Sequence, residues 1–84
     1  MDRRTIRLLV ENSAVRKVSI VADGSAFRVE VYSPTGTHIA TTLKGKMRTW
    51  SSIDSAAKYV QSLGVGKAEL ILQEWQPNQK SLQI

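Results

Sequence analysis

The chain has 84 residues, with 12 Lys and Arg against 7 Asp and Glu, a net charge of +5 and no cysteine. That length allows one domain with one modest core, and the missing cysteine excludes a disulfide framework, a thiolate metal site and a cysteine nucleophile. No apolar run approaches the roughly 20 residues of a membrane span, so the expectation is a soluble, cytoplasmic chain without membrane contact, whose charge favours nucleic acid first and an anionic protein surface second.

Residues 1–4 hold Asp2, Arg3 and Arg4 ahead of any pattern and read as a short basic arm. From Thr5 to Glu11, Ile6, Leu8 and Val10 alternate with Arg7, Leu9 and Glu11, which predicts a first strand closed by a turn at Asn12-Ser13. Val15 to Ala22 predicts a second strand, with Val18, Ile20 and Ala22 on one side and Lys17, Ser19 and Val21 on the other. Asp23-Gly24 is a hairpin signal. Phe27, Val29 and Val31 then point inward from a third strand whose outward residues are Arg28, Glu30 and Tyr32. Ser33-Pro34-Thr35-Gly36 predicts a second turn, with Gly36 at a position of positive φ. A fourth strand follows over His38–Leu43, with Ile39, Thr41 and Leu43 inward and His38, Ala40 and Thr42 outward.

The segment from Arg48 to Gly64 carries the helix. Ser51 stands where an N-cap belongs, with Asp54 three residues on, and Ile53, Ala56, Ala57, Val60 and Leu63 recur at helical spacing. Trp50 precedes the cap as a staple, Tyr59 falls on the helix flank, and Gly64 supplies the left-handed residue that ends the helix. Lys67–Gln73 predicts a last strand with Ala68, Leu70 and Leu72 inward, and residues 76–84 read as a flexible tail beyond Trp75. The expected fold is therefore α+β, a single domain over residues 1–75. It is an antiparallel β-β-β-β-α-β meander with its one helix packed on one sheet face.

With the inward set turned to the helix, the opposite sheet face should display Arg7, Lys17, Ser19, Arg28, Tyr32, His38 and Thr42, with Glu30 the one acid among its central positions. Strands about 4.8 Å apart can present such a row of cations to a phosphate backbone. Lys44, Lys46 and Arg48 around Gly45 form a second basic cluster. The candidate nucleic-acid-binding residues are thus Arg7, Lys17, Arg28, Tyr32, His38, Lys44, Lys46 and Arg48. Leu9, Val21 and Ile71 fall on the same side as apolar residues on an otherwise wet face, and suit a homodimer or another protein partner. His38 is the sole histidine and the carboxylates are scattered, so no catalytic set, metal site or cofactor site is expected, and the chain does not read as an enzyme.

Two resemblances follow from these residues. The run Arg48-Thr-Trp-Ser-Ser-Ile-Asp-Ser-Ala-Ala, continuing to Leu63-Gly-Val-Gly-Lys-Ala-Glu-Leu with Trp75 beyond, resembles the small plasmid-borne partition-associated proteins of the ParC type. That likeness implies an accessory role in plasmid maintenance and no catalytic residues. More loosely, Phe27 to Tyr59 is similar to the three-strand-plus-helix DNA-binding domains of ethylene-response factors and recombinase arm-binding modules, with Trp50, Ser51, Ala56 and Ala57 matching. In those domains the outward side chains of the sheet enter the major groove, which would place Arg28, Tyr32 and His38 on the reading face. The functional expectation is a non-enzymatic plasmid-maintenance protein that binds nucleic acid, DNA first, through a basic sheet face. The alternative is a protein-interaction module that binds none.

Overall fold

The computed structural model describes residues 1–75, so the expected tail at 76–84 lies outside the described residues. The chain is α+β, as expected, but its described residues form two helices and a mixed sheet. The elements run α1 (Arg3–Glu11), β1 (Lys17–Gly24), β2 (Ala26–Ser33), β3 (Gly36–Ile39), α2 (Ile53–Ser62) and β4 (Glu69–Trp75), and the strands lie in the order β3-β2-β1-β4.

The first correction concerns residues 3–11, which form a helix where the alternation predicts a strand. Asp2 is the N-cap, its Oδ1 accepting the Thr5 N–H at 2.9 Å, so the basic arm is in fact the helix start. Ile6 is fully buried and Leu9 and Val10 are half-buried at i+3 and i+4, while Leu8, which a strand would have put beside Ile6, is 53% exposed. The period is 3.6, and burying Ile6 holds the helix down by about 1.5–3 kcal/mol. Asn12-Ser13 ends this helix instead of a hairpin. Ser13 takes φ 57°, and the Ala14 and Ser13 amides donate to the carbonyls of Leu9 and Val10 at 2.8 and 3.0 Å, the paired bonds of a Schellman stop.

The β1–β2 hairpin forms as expected, with Asp23 opposite Ala26 and Gly24 at φ 68° as the first residue of the two-residue loop. The Ser33–Gly36 turn leads into β3, which ends at Ile39, three positions after it begins. Beyond it the backbone folds into an irregular loop: the Arg48 amide donates to Ala40 O, the Thr42 amide to Lys46 O, and Gly45 at φ 89° makes the tip. Met1 and Asp2 close that margin of the sheet, since the Met1 ammonium donates to Ile39 O at 2.9 Å and the Thr41 amide to Met1 O at 2.8 Å.

The second correction is β4. It pairs with β1 in parallel, Ser19 opposite Glu69, Ile20 opposite Leu70 and Val21 opposite Ile71, so the sheet is not a pure meander. A chain that leaves β3, crosses in α2 and returns beside β1 arrives pointing the same way as β1, which is what a helical crossover permits and a short turn does not.

Both helices lie on one face of the sheet. The core joins Val18, Ile20 and Ala22 of β1 and Phe27, Val29 and Val31 of β2 to Ile6, Ala40, Ala56, Tyr59, Val60 and Leu63. In α2 the N-cap is Ser52, one position later than expected, its Oγ accepting the Ser55 N–H at 3.1 Å, while Asp54 pairs with Lys58. The buried face also differs from the expected one: Ala57 is exposed and Tyr59 buried, its ring tilted against Trp50 with centroids 4.6 Å apart. Gly64 at φ 90° ends it as predicted. Leu70 and Leu72 remain 43% and 40% exposed, because α2 packs on β1 and β2 and leaves the helix side of β4 uncovered among the described residues.

Candidate nucleic-acid interface

The sheet face turned away from the helices carries fewer of the expected cations than its sequence promised. Arg7 is on α1, not on the sheet. His38 lies opposite Val31 and therefore on the helix side, while Ile39 takes the outer side opposite Glu30, so the inward and outward sets of β3 are exchanged. The cause is Ala40, fully buried with its amide on Val29 O, which fixes the register one residue from where Ile39 would have set it. Leu9 is also on α1, leaving Val21 and Ile71 as neighbours across the β1–β4 ladder, with Val21 only 7% exposed.

The cations that do stand on the outer face are paired. Arg28 donates through Nε to Glu30 Oε2 at 2.9 Å and through Nη1 to Asp23 Oδ2 at 3.3 Å, and the Tyr32 hydroxyl donates to Glu30 Oε1 at 3.0 Å. Lys17 reaches Glu69 Oε1 at 3.2 Å and lies 4.6 Å from the centroid of the Tyr32 ring. Between these pairs the fully buried Ser19 donates to Glu69. Lys17 and Arg28 thus face Asp23, Glu30 and Glu69, and among the described residues the outer face gathers no net positive charge. A phosphate arriving here would have to break pairs already formed.

The positive charge collects at another margin, where α1 meets the 40–48 loop. A groove of about 220 Å³ is lined there by Asp2, Arg3, Arg4, Thr41, Thr42, Leu43 and Arg48, and beside it a second hollow is lined by Arg3, Arg4, Arg7, Leu8 and Glu11. Lys44 and Lys46 stand exposed around the Gly45 tip of the same loop. Six of the 12 Lys and Arg residues, namely Arg3, Arg4, Arg7, Lys44, Lys46 and Arg48, belong to these two elements, and among the described residues none of the six forms an ion pair.

Two of these side chains are held in place. Arg3 donates through Nε to Ser62 Oγ at 3.1 Å and through Nη2 to Ser62 O at 3.4 Å, at the C-terminus of α2 where a cation suits the helix dipole. The Arg48 guanidinium lies 5.2 Å from the Trp50 ring centroid and 5.0 Å from that of Tyr59. The charges on α1 itself run against helix stability. Arg3 and Arg4 occupy a first turn that holds no acid, where the dipole favours anions, and Arg3 and Arg7 repel at i,i+4.

Of the eight sequence-predicted residues, the structure puts Arg7 and Arg48 in the two hollows that share Arg3 and Arg4, leaves Lys44 and Lys46 exposed at the tip of the loop that carries Arg48, keeps Lys17, Arg28 and Tyr32 on the outer face, and puts His38 on the helix side. Arg3 and Arg4 were missed as site residues because the first four residues read as an arm. The signal that would have found them is Asp2 three residues before Thr5, an N-cap spacing. Among the described residues no three His, Cys, Asp or Glu side chains come together as a metal site, and no helix is long and apolar enough to cross a membrane. Comparison of the chain with family models, with curated proteins and with solved structures found no match.

Proposed function

We propose that this chain is a non-enzymatic nucleic-acid-binding protein, with DNA as the first partner to test, acting as a plasmid-maintenance accessory and using the α1 and 40–48 margin in place of the sheet face. The plasmid setting rests on the likeness of the Arg48–Leu70 run alone. The binding reading is carried by one observation: six cations without ion-pair partners among the described residues converge on two adjoining elements, while the outer-face cations are neutralised. Concentrated positive charge is costly to a fold through self-repulsion, and that cost is offset when the cations neutralise phosphates and release the counterions condensed on the nucleic acid.

The test compares two sets of substitutions by fluorescence anisotropy on labelled oligonucleotides. Arg4→Gln, Arg7→Gln and Lys46→Gln together should weaken binding more than tenfold and lower the slope of log K against log salt by about 2.7, that is about 0.9 for each lost phosphate contact. Lys17→Gln with Arg28→Gln should change affinity less than about threefold. The reverse ranking would return the interface to the sheet, and absence of binding at low salt by the folded wild type would end the reading.

A second reading, a protein-interaction module that binds no nucleic acid, is favoured by the groove of about 520 Å³ between α2 and the 65–68 segment that leads into β4. Ile20, Ala57, Val60, Val65 and Ala68 contribute apolar surface to it, and the exposed Leu70 and Leu72 stand on the same side of the sheet. Self-association through it makes sedimentation concentration-dependent, and a monomer at all concentrations removes the homodimer.

A further inference from the structure

Among the described side chains no aromatic ring lines the basic margin's groove, and that bears on which nucleic acid it suits. Among the described side chains the aromatics are Phe27, Tyr32, Trp50 and Tyr59. Phe27 and Tyr59 are 2% and 7% exposed. The Tyr32 ring is on the outer face with Lys17 over it and its hydroxyl tied to Glu30. Trp50 has the Tyr59 ring at 4.6 Å and the Arg48 guanidinium at 5.2 Å. None of the four lines the groove, whose walls are the guanidiniums of Arg3, Arg4 and Arg48, two threonines, Leu43 and the carboxylate of Asp2, which the Thr5 amide holds as the α1 N-cap.

We propose that the nucleic acid bound at the α1 and 40–48 margin is double-stranded and is held through its phosphates without sequence readout, an inference that rests on the nucleic-acid reading above. A flexible single strand must be ordered to follow a protein groove, and proteins that bind it recover that cost by stacking bases on aromatic rings. This margin offers no described ring for the purpose. A duplex arrives already ordered, with one charge per about 1.7 Å of axis, and releases more counterion per contact than a single strand, about 0.9 against about 0.7.

The cations are matched to a rigid partner. Arg3, Arg4 and Arg7 project from a helix whose two ends are capped, and Arg3 and Arg48 are fixed by Ser62 and by the two rings. Cations held on rigid elements meet fixed phosphate rows with little further ordering, which is where preorganisation adds to affinity. Thr41 and Thr42 add short hydroxyl side chains to the groove wall, a type that reaches phosphate and sugar oxygens and carries no base code from there.

The experiment titrates full-length protein into labelled 20-base-pair duplex DNA, duplex RNA and each corresponding single strand, in two unrelated sequences, at about 50 and about 200 mM salt. The expected result is duplex binding at least roughly tenfold tighter than either single strand, agreement between the two sequences within about threefold, and a loss of about a thousandfold in duplex affinity across that salt range, as about six phosphate contacts require. The two duplex arms identify which double-stranded polymer is preferred. Equal or tighter binding of single strands, or a tenfold dependence on sequence, overturns the inference while leaving nucleic-acid binding standing. Failure of every oligonucleotide to bind at 50 mM salt overturns the binding reading itself.

Discussion

Tyr59→Phe removes one oxygen from the core and leaves the ring in place. The hydroxyl is buried and has no hydrogen-bond partner among the described residues. An unsatisfied buried hydroxyl costs about 1–3 kcal/mol, whereas the ring contacts with Trp50 at 4.6 Å and Arg48 at 5.0 Å persist in phenylalanine. Taking the lower end, because the nearby Arg48 and Arg3 charges favour a polar oxygen, the variant gains about 1 kcal/mol, or about 4–8 °C in Tm for a domain of this size. The pH dependence has a definite sign. Burial raises the Tyr59 pKa above its ordinary 10.0, partly opposed by Arg48 and then Arg3. Below pH 10 the folded and unfolded chains both keep the proton; above it the unfolded chain ionises first, so wild-type stability falls as pH rises from about 10 towards the folded pKa. Tyr59→Phe lacks that loss. Thermal unfolding followed by circular dichroism at pH 7 and above pH 10, with a phenolate absorbance titration of wild type against variant, reads both effects. A Tm at pH 7 lower than wild type by more than about 2 °C would refute the unpaired hydroxyl and mean that it is satisfied in the folded protein.

The N-cap of α2 separates two neighbouring serines: Ser52→Ala should cost about 1 kcal/mol and Ser51→Ala less than about 0.5 kcal/mol in urea unfolding, and the opposite order would restore the cap position the sequence suggested. The Asp2 carboxyl is held below its usual 3.8 first by the Thr5 backbone N–H and then by the Thr5 side chain, so its contribution is present above 3.8 and disappears as pH falls through its lower folded value. Asp2→Asn keeps a capping side chain without the titration. Its Tm should therefore decline less steeply than wild type below about pH 3.8, and parallel acid limbs would count against the cap.

The hairpin of β1 and β2 was legible because both strands alternate cleanly and Asp23-Gly24 has no second reading. The end of α2 was legible because Gly64 sits where only a left-handed residue serves. Residues 3–11 misread because Ile6, Leu8 and Val10 satisfy a period of two while Ile6, Leu9 and Val10 satisfy 3.6, and only the caps at Asp2 and Ser13 decide between them. That one choice hid the site, since Arg3, Arg4 and Arg7 share a surface only on a helix. The β3 parity failed because Ala40, a small residue, outcompetes Ile39 for the core, and apolar size alone ranks them the other way. Pairing of Arg28 with Glu30 and Asp23 was open to inspection in the sequence, but the reach of Lys17 to Glu69 depends on the parallel return of β4, which no local pattern encodes.

That return also has a consequence during synthesis. Ser19 and Glu69 are 50 positions apart, so one edge of β1 pairs with β2 as soon as the hairpin emerges from a ribosome, while the other has no partner until β4 is made, on the order of several seconds later. For that interval the exposed edge carries Val18, Ile20 and Val21, a β-branched stretch of the sort that recruits foreign strands. The nascent chain is therefore most vulnerable to aggregation with its hairpin formed and its last strand still missing, and truncation before Glu69 would make that transient state permanent.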